Sequence, residues 1–360
     1  MDGYLVLENG DVYKGELFGK GKESYGELIF NTSMTGYQEI IYDPSYKGQI
    51  VVMTYPLIGN YGINEEDIES YKVHLEGFVV KERSKLYSNW RATKDLAGFL
   101  KEVGLTGIEG IDTRKITLTL REEGALKGGI FPEKFTPKEM IEKVKKSPGL
   151  VGRDLVKEVI KGQPYWWKKE GKYKVVVIDC GVKYNILRIL GNLNLKVKVV
   201  PASIPYEEIV KEKADGILIS NGPGDPAPLD YVIKTVSNLV ERVPVFGICL
   251  GHQILAQVFG GGTYKLKFGH HGANHPVKDL KTGKIYITVQ NHGFCVDINT
   301  LNDPNIELTH INLNDNTLEG IEHKKLPVFS VQFHPEDSPG PRESSYLFQK
   351  FYNLIDGQKN

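Results

Sequence analysis

In the stretch VPVFGICLGHQILAQVFGG, residues 243–261, a cysteine stands where an apolar run meets a helical pattern. The run from Pro244 to Ile248 reads as a buried strand, and the apolar spacing from Leu250 to Phe259 predicts a helix. Cys249 lies at the junction, with Gly247 and Gly251 two residues away on either side. The pattern G-x-C-x-G follows the logic of a nucleophile elbow, where glycines permit a cramped turn that lifts the nucleophile above a sheet. The helix start offers unpaired N–H groups and a positive dipole end, and both favour thiolate over thiol. The N–H of Leu250 is placed to stabilise an oxyanion. A lone cysteine is more often a small buried hydrophobe; the two glycines and the strand–turn–helix pattern favour the nucleophile.

A cysteine nucleophile needs a base and a second oxyanion donor. The donor is expected from Ser220-Asn221-Gly222-Pro223-Gly224-Asp225-Pro226, which follows the strand-like GILIS. Its glycines let a backbone N–H approach a substrate closely. Among nine histidines, His334 is the candidate base: it ends the strand-like run PVFSVQFHPE, with Glu336 two residues on. Residues i and i+2 of an extended segment share a face, so the carboxylate can orient the imidazole and stabilise its charged form. By the same alternation, Asp337 is expected to point away. His270, His271 and His275 of FGHHGANHP suggest metal, but no fixed spacing with a fourth ligand completes a zinc set, so no metal is expected. His292, in QNHGF, is read as a substrate contact.

These residues need a scaffold. From Lys174 onward, KVVVID, KVKVV, GILIS and PVFGI alternate with the helical NILRILGNL, PYEEIVKEK and DYVIKTVSNLVERV. Such alternation predicts βαβ units and a parallel sheet covered on both faces, with ligands at the carboxyl ends of the strands. The first 60 residues are rich in aromatic and β-branched residues, with a hairpin signal at Asn9-Gly10 and a further strand in KGQIVVMTYPLIG. TKDLAGFLKEVG and TPKEMIEKVKKS read as helices, and the polar, aromatic segment 161–172 reads as a linker or docking arm. The expected fold is α/β: a mostly β N-terminal domain over 1–150, a connector over 151–172 and an α/β domain with a largely parallel sheet over 173–360.

The chain has 360 residues, enough for about two domains. Its 45 basic and 45 acidic residues cancel, so no global field invites nucleic acid or a membrane surface. No apolar run approaches the roughly 20 residues of a membrane span, and MDGYLVLENGDVYKG lacks the pattern of a signal peptide. Three cysteines are too few for a disulfide framework. The expected location is cytoplasmic.

Together, GICLGHQ, NGPGDP and HPE resemble the landmarks of the class I glutamine amidotransferases, which are Cys-His-Glu glutaminases. NTSMTGYQEIIYDPSYKGQIVVMTYPLIGNYG, GIDTRKITLTLREEG, FGHHGANHPV and QNHGF narrow the likeness to the small, glutamine-hydrolysing chains of carbamoyl-phosphate synthase, over essentially the whole length. The resemblance implies that Cys249 is the nucleophile, His334 the acid/base and Glu336 its orienter. It implies that Ser45, Gly222, Gly224, Leu250, Gln253, Asn291, Gly293 and Phe294 hold L-glutamine. It further implies a large synthetase chain as partner, in a heterodimer or a higher oligomer built from it. Three positions depart from the family pattern: Asp337 replaces a small residue, Cys180 an aromatic one, and Tyr184 a basic one.

The chain has no G-x-x-x-x-G-K-[ST] loop and no G-x-G-x-x-G opening a helix. No cofactor is therefore expected on this chain, and the resemblance assigns ATP and Mg to the large chain. Two other readings use the same residues. One is a different cysteine hydrolase on this scaffold, such as a peptidase; the other is a docking subunit that keeps the fold without the activity. The N-terminal TGYQE and DPSY motifs weigh against the first, and the presence of both Cys249 and His334 against the second.

Overall fold

A computed structural model describes residues 1–359. The chain divides into two compact units, Met1–Val151 with Lys267–Gly272, and Gly152–Leu266 with the chain from Ala273 onward.

The first unit is built on a closed seven-stranded barrel. Around it run Asp2–Leu7, Val12–Gly19, Thr106–Glu109, Gly77–Val79, Gln49–Met53, Ser24–Asn31 and Leu126–Pro132. The Asn9-Gly10 hairpin forms as expected, with Gly10 at φ +105°. Alternation sorts the side chains: Leu5, Leu7, Leu28, Ile50, Val52 and Ile130 share one core cluster, while Ile29, Val51 and Phe78 belong to another. Helices Leu96–Val103 and Pro137–Lys146 occupy the two expected helical stretches.

The second unit holds a ten-stranded sheet. Its centre is five parallel strands in the order Leu195–Pro201, Tyr173–Asp179, Gly216–Ile219, Val245–Ile248 and Val328–Val331. Each reads as a continuous apolar run because both faces are covered. Val175, Val177, Leu218 and Phe246 enter one core cluster; Val176, Ile178, Ile217 and Val245 enter the other. The parallel strands are extended by antiparallel ones on both sides. Tyr165–Lys168, within the linker-like stretch, is one of these: it pairs with Leu195–Pro201, and Trp167 packs on Tyr184 with ring centroids 5.1 Å apart.

Two elements are shorter than their patterns suggest. The helix over DYVIKTVSNLVERV stops at Ser237, where the Ser237 hydroxyl and the Asn238 amide both bond to the Lys234 carbonyl and compete with the helical ladder. The strand over PVFSVQFHPE covers only Val328–Val331. Beyond it, Gln332 N–H bonds to Glu319 and His334 N–H to Val289, and Pro335 has no N–H to continue the ladder.

Candidate active site

Four adjacent parallel strands deliver the candidate residues at their carboxyl ends, where open α/β sheets bind ligands. The end of Tyr173–Asp179 leads to Lys183, and the end of Gly216–Ile219 to the Ser220–Pro226 loop. Cys249 follows Val245–Ile248, and His334 and Glu336 follow Val328–Val331.

Cys249 sits between its strand and the helix Leu250–Val258 at φ +53°, ψ −104°, and is 2% exposed. For a residue with a Cβ this is a strained conformation, costing about 1–3 kcal/mol. Its N–H donates to Val331 O at 2.9 Å, tying the corner to the neighbouring strand. The strain falls on the cysteine itself, so the flanking glycines serve another purpose. A Cβ on Gly247 would lie 2.6 Å from Gly251 O, and one on Gly251 would overlap Ile219 O. They let the helix pack directly onto the strands. Leu250 is the first residue of that helix, so its N–H has no carbonyl four residues back within it.

His334 and Glu336 are fully buried, with His334 Nδ1 2.7 Å from Glu336 Oε1. His334 Nε2 has no hydrogen-bond partner. Burial pulls the imidazole down, but Glu336 and Cys249 outweigh it and hold its pKa up at about 10. In the free site no partner within hydrogen-bonding geometry satisfies Nε2; such bonds often tighten only once substrate is bound. Burial likewise pushes Glu336 up, but Lys183 and then His334 overcome it and bring the carboxyl down to about 2.

Lys183 is the member that motif reading missed. It is 1% exposed, 3.0 Å from Glu336 Oε1, and donates to Asp337 O at 2.5 Å. Its own N–H donates to Asn221 Oδ1, and Asn185 Nδ2 donates to Glu336 O. A buried lysine neutralising the orienting carboxylate has no local signature, because GVKYN lies some 150 residues upstream. Gln332 was missed too. Its Nε2 reaches Cys249 Sγ at 3.6 Å, and its Oε1 accepts from Gln253 Nε2, which also donates to Phe294 O. The spacing Q-x-H carries a weak signal for it.

A turn, not strand alternation, places Asp337. Strand alternation ends before it, and a turn at φ +62° buries it beside Glu336 and Lys183. Cys180 is buried, and burial first, with the nearby Asp179 and Asp154 charges, raises its thiol above the ordinary value, which suits a packing role.

The remaining candidates fall as follows. Gly222 packs against the Cys180 carbonyl so closely that a Cβ would overlap it, and Gly224 adopts φ +80°. Asn291 O lies 3.7 Å from Cys249 Sγ, which brings QNHGF to the nucleophile. In that segment His292 Nδ1 bonds to Phe294 O and its Nε2 meets Gln290 Oε1, while a Cβ on Gly293 would meet open space. His252, on the nucleophile helix, is buried against Ser330 Oγ at 2.9 Å, and burial lowers it to about 3; it is a neutral packing histidine. Ser45 belongs to the first unit, on the turn Pro44–Tyr46, with its N–H bonded to Asp43 Oδ1. Of the histidines in FGHHGANHP, His270 and His271 group with the first unit and His275 with the second.

Comparison with known proteins bears on what such a corner does. Residues 176–354 match the family model of the class I glutamine amidotransferases, and residues 5–130 that of the carbamoyl-phosphate synthase small chain, CPSase domain. Carbamoyl phosphate synthase small chains are similar throughout. That of Syntrophotalea carbinolica is 50% identical, covering 99% of this chain and 98% of its own. Those of Akkermansia muciniphila and Aquifex aeolicus are both 52% identical, covering 100% and 98% of this chain and 99% and 98% of their own. The chain belongs to the carbamoyl-phosphate synthase small-chain family and carries that family's class I glutamine amidotransferase domain, which makes it a glutaminase subunit.

Proposed function

We propose that Cys249, His334 and Glu336 hydrolyse L-glutamine through a thioester, and that the ammonia passes to a large synthetase chain. There ATP, with Mg, and bicarbonate would be consumed in making carbamoyl phosphate. The observation that carries the chemistry is the pairing at adjacent strand ends: a strained Cys249, and a His334 with Nδ1 committed to Glu336 and Nε2 uncommitted.

The thiolate attacks the side-chain amide carbon, and the oxyanion is met by backbone N–H groups, Leu250 among them. The imidazolium gives its Nε2 proton to the departing nitrogen as the C–N bond breaks. His334 next takes a proton from water, whose oxygen attacks the thioester; the C–S bond breaks, releasing glutamate and restoring the thiolate beside the imidazolium. Lys183 keeps Glu336 ionised while His334 cycles between its two states. Gly222, Gly224, Gln253, Asn291, Gly293 and Phe294 are the proposed glutamine-holding positions in this unit, and Ser45 is proposed for the same task.

Among the described residues no helix is long and apolar enough to cross a membrane, and all three cysteines are free and buried. A cytoplasmic location is proposed on that basis.

The test is glutamate release from glutamine by this chain, alone and with the candidate large chain, ATP and bicarbonate. Stimulation by the partner, carbamoyl phosphate formed in step, and loss of both in Cys249→Ser with ammonia-dependent synthesis retained, are expected. Turnover of other amides with none of glutamine would point to a different hydrolase. Ser45→Ala is expected to raise KM for glutamine with little change in kcat.

A further inference from the structure

The candidate relay holds one carboxyl more than the chemistry uses. Asp337 follows Glu336 directly, in the left-handed region at φ +62°, with its N–H bonded to His334 O at 3.2 Å. The residue is 5% exposed, and its Oδ1 has no hydrogen-bond partner. Lys183, whose Nζ lies 3.0 Å from Glu336 Oε1, also donates to the main-chain O of Asp337. One buried cation thus bonds to the carboxylate of Glu336 and to the main chain of Asp337, whose carboxyl feels its charge without a bond to it. Leaving a buried acceptor unsatisfied costs about 1–3 kcal/mol, more when it is charged. A carboxyl in this position has reason to stay protonated.

The charged groups facing it come from three places. Glu336 shares its turn, Lys183 stands at the start of the helix Tyr184–Asn192, and Arg342 lies further along the chain; His334 is bonded to Glu336. Burial first, and the Glu336 charge second, push the Asp337 carboxyl up to about 7, against the opposing pull of Lys183 and Arg342.

We propose that Asp337 is a positioning residue that grades the relay by competing with Glu336 for Lys183. With Asp337 protonated, Lys183 is committed to Glu336, and Glu336 holds His334 in one orientation. When Asp337 releases its proton to solvent, two carboxylates share the ammonium. The added negative charge makes His334 hold its proton more firmly, so it gives that proton to the departing amine less readily. No bond in the substrate is altered by Asp337 itself. The proposal rests on the triad reading above and adds a control by pH.

The experiment is the pH dependence of kcat and KM for glutamate release by the full chain with its large chain, in wild type, Asp337→Asn and Asp337→Gly. Asparagine keeps the shape, and glycine accepts φ +62° without strain, so together they separate the carboxyl from the turn. In wild type, kcat is expected to fall about tenfold through an inflection near neutrality, the size of about one pK unit of interaction with His334. Both variants are expected to lose the inflection, with KM moved by less than about twofold. An inflection that persists in both variants, or a uniform drop at every pH, would overturn the proposal. Glutamate release that does not depend on Cys249 would instead overturn the triad reading, whatever Asp337 does.

Discussion

Two neighbouring strands, Val245–Ile248 and Val328–Val331, run parallel in the same sheet and end beside one another, yet their corners are made in opposite ways. The cysteine corner is set by sterics. Glycines at 247 and 251 remove the side chains that would keep the helix off the strands, and the backbone is forced through φ +53° at Cys249. The histidine corner has no glycine at that point and no regular helix after it. Its shape is fixed by charge, through Lys183 on Glu336 and Glu336 on His334. A corner built on sterics is specified within a few residues of sequence. One built on charge borrows its partner from wherever the fold can supply it.

Substitutions separate the two. Lys183→Met should have the largest effect: it strands a buried carboxylate, which typically costs about 3–5 kcal/mol. Chemical denaturation should show that loss together with collapse of glutamate release, whereas an unchanged midpoint would mean charge does not hold the histidine corner. Gly251→Ala should be next, at about 1–3 kcal/mol from overpacking against Ile219 O. Because a misplacement of about 1 Å can cost 100-fold in rate, its kcat should fall further than its melting temperature suggests. A tolerated alanine would remove the steric account of the cysteine corner.

Gln332→Leu tests the link between the corners. It deletes the amide joining Cys249 Sγ to Gln253, and about 1 kcal/mol of stability with up to tenfold in kcat/KM is expected to go with it. Leucine kinetics equal to wild type would make the link incidental.

The smallest effect is one of shape. Glu336 sits at about 2 against an ordinary 4.5, so its stabilisation is full above pH 4.5 and fades as the pH falls towards 2. His334 sits at about 10 against 6.5, so its share is full below pH 6.5 and is lost as the pH rises through 10. Stability contributed by the pair should therefore peak between pH 4.5 and 6.5. Denaturation midpoints of Glu336→Gln across the pH range should lose much of the alkaline decline; a profile parallel to wild type would show that the carboxylate does not hold the imidazole's proton.

The cysteine corner was legible in the sequence because the strand, the two glycines, the cysteine and the helix that make its turn all lie between 245 and 258. The parallel strands were legible for a similar reason: burial on both faces leaves unbroken apolar runs such as VVVI. The histidine corner was only half legible. HPE announced the pair, but strand alternation ends at Val331, so the burial of Asp337 beside Glu336 and Lys183 was not legible. Lys183 and Gln332 stayed hidden because ordinary lysines and glutamines are surface residues, and nothing near them in the chain marks these two as buried.

By itself, then, the sequence determined the strand–turn–helix that strains Cys249, the order of the βαβ units, and the types of group available for the reaction. Those depend on periodicity and local sterics, which act over a few residues. Only the tertiary structure decided which strand ends are neighbours, which buried cation offsets Glu336, and where Asp337 comes to rest. Coulomb interactions and desolvation depend on distance through space, and that distance is fixed only when the sheet has assembled.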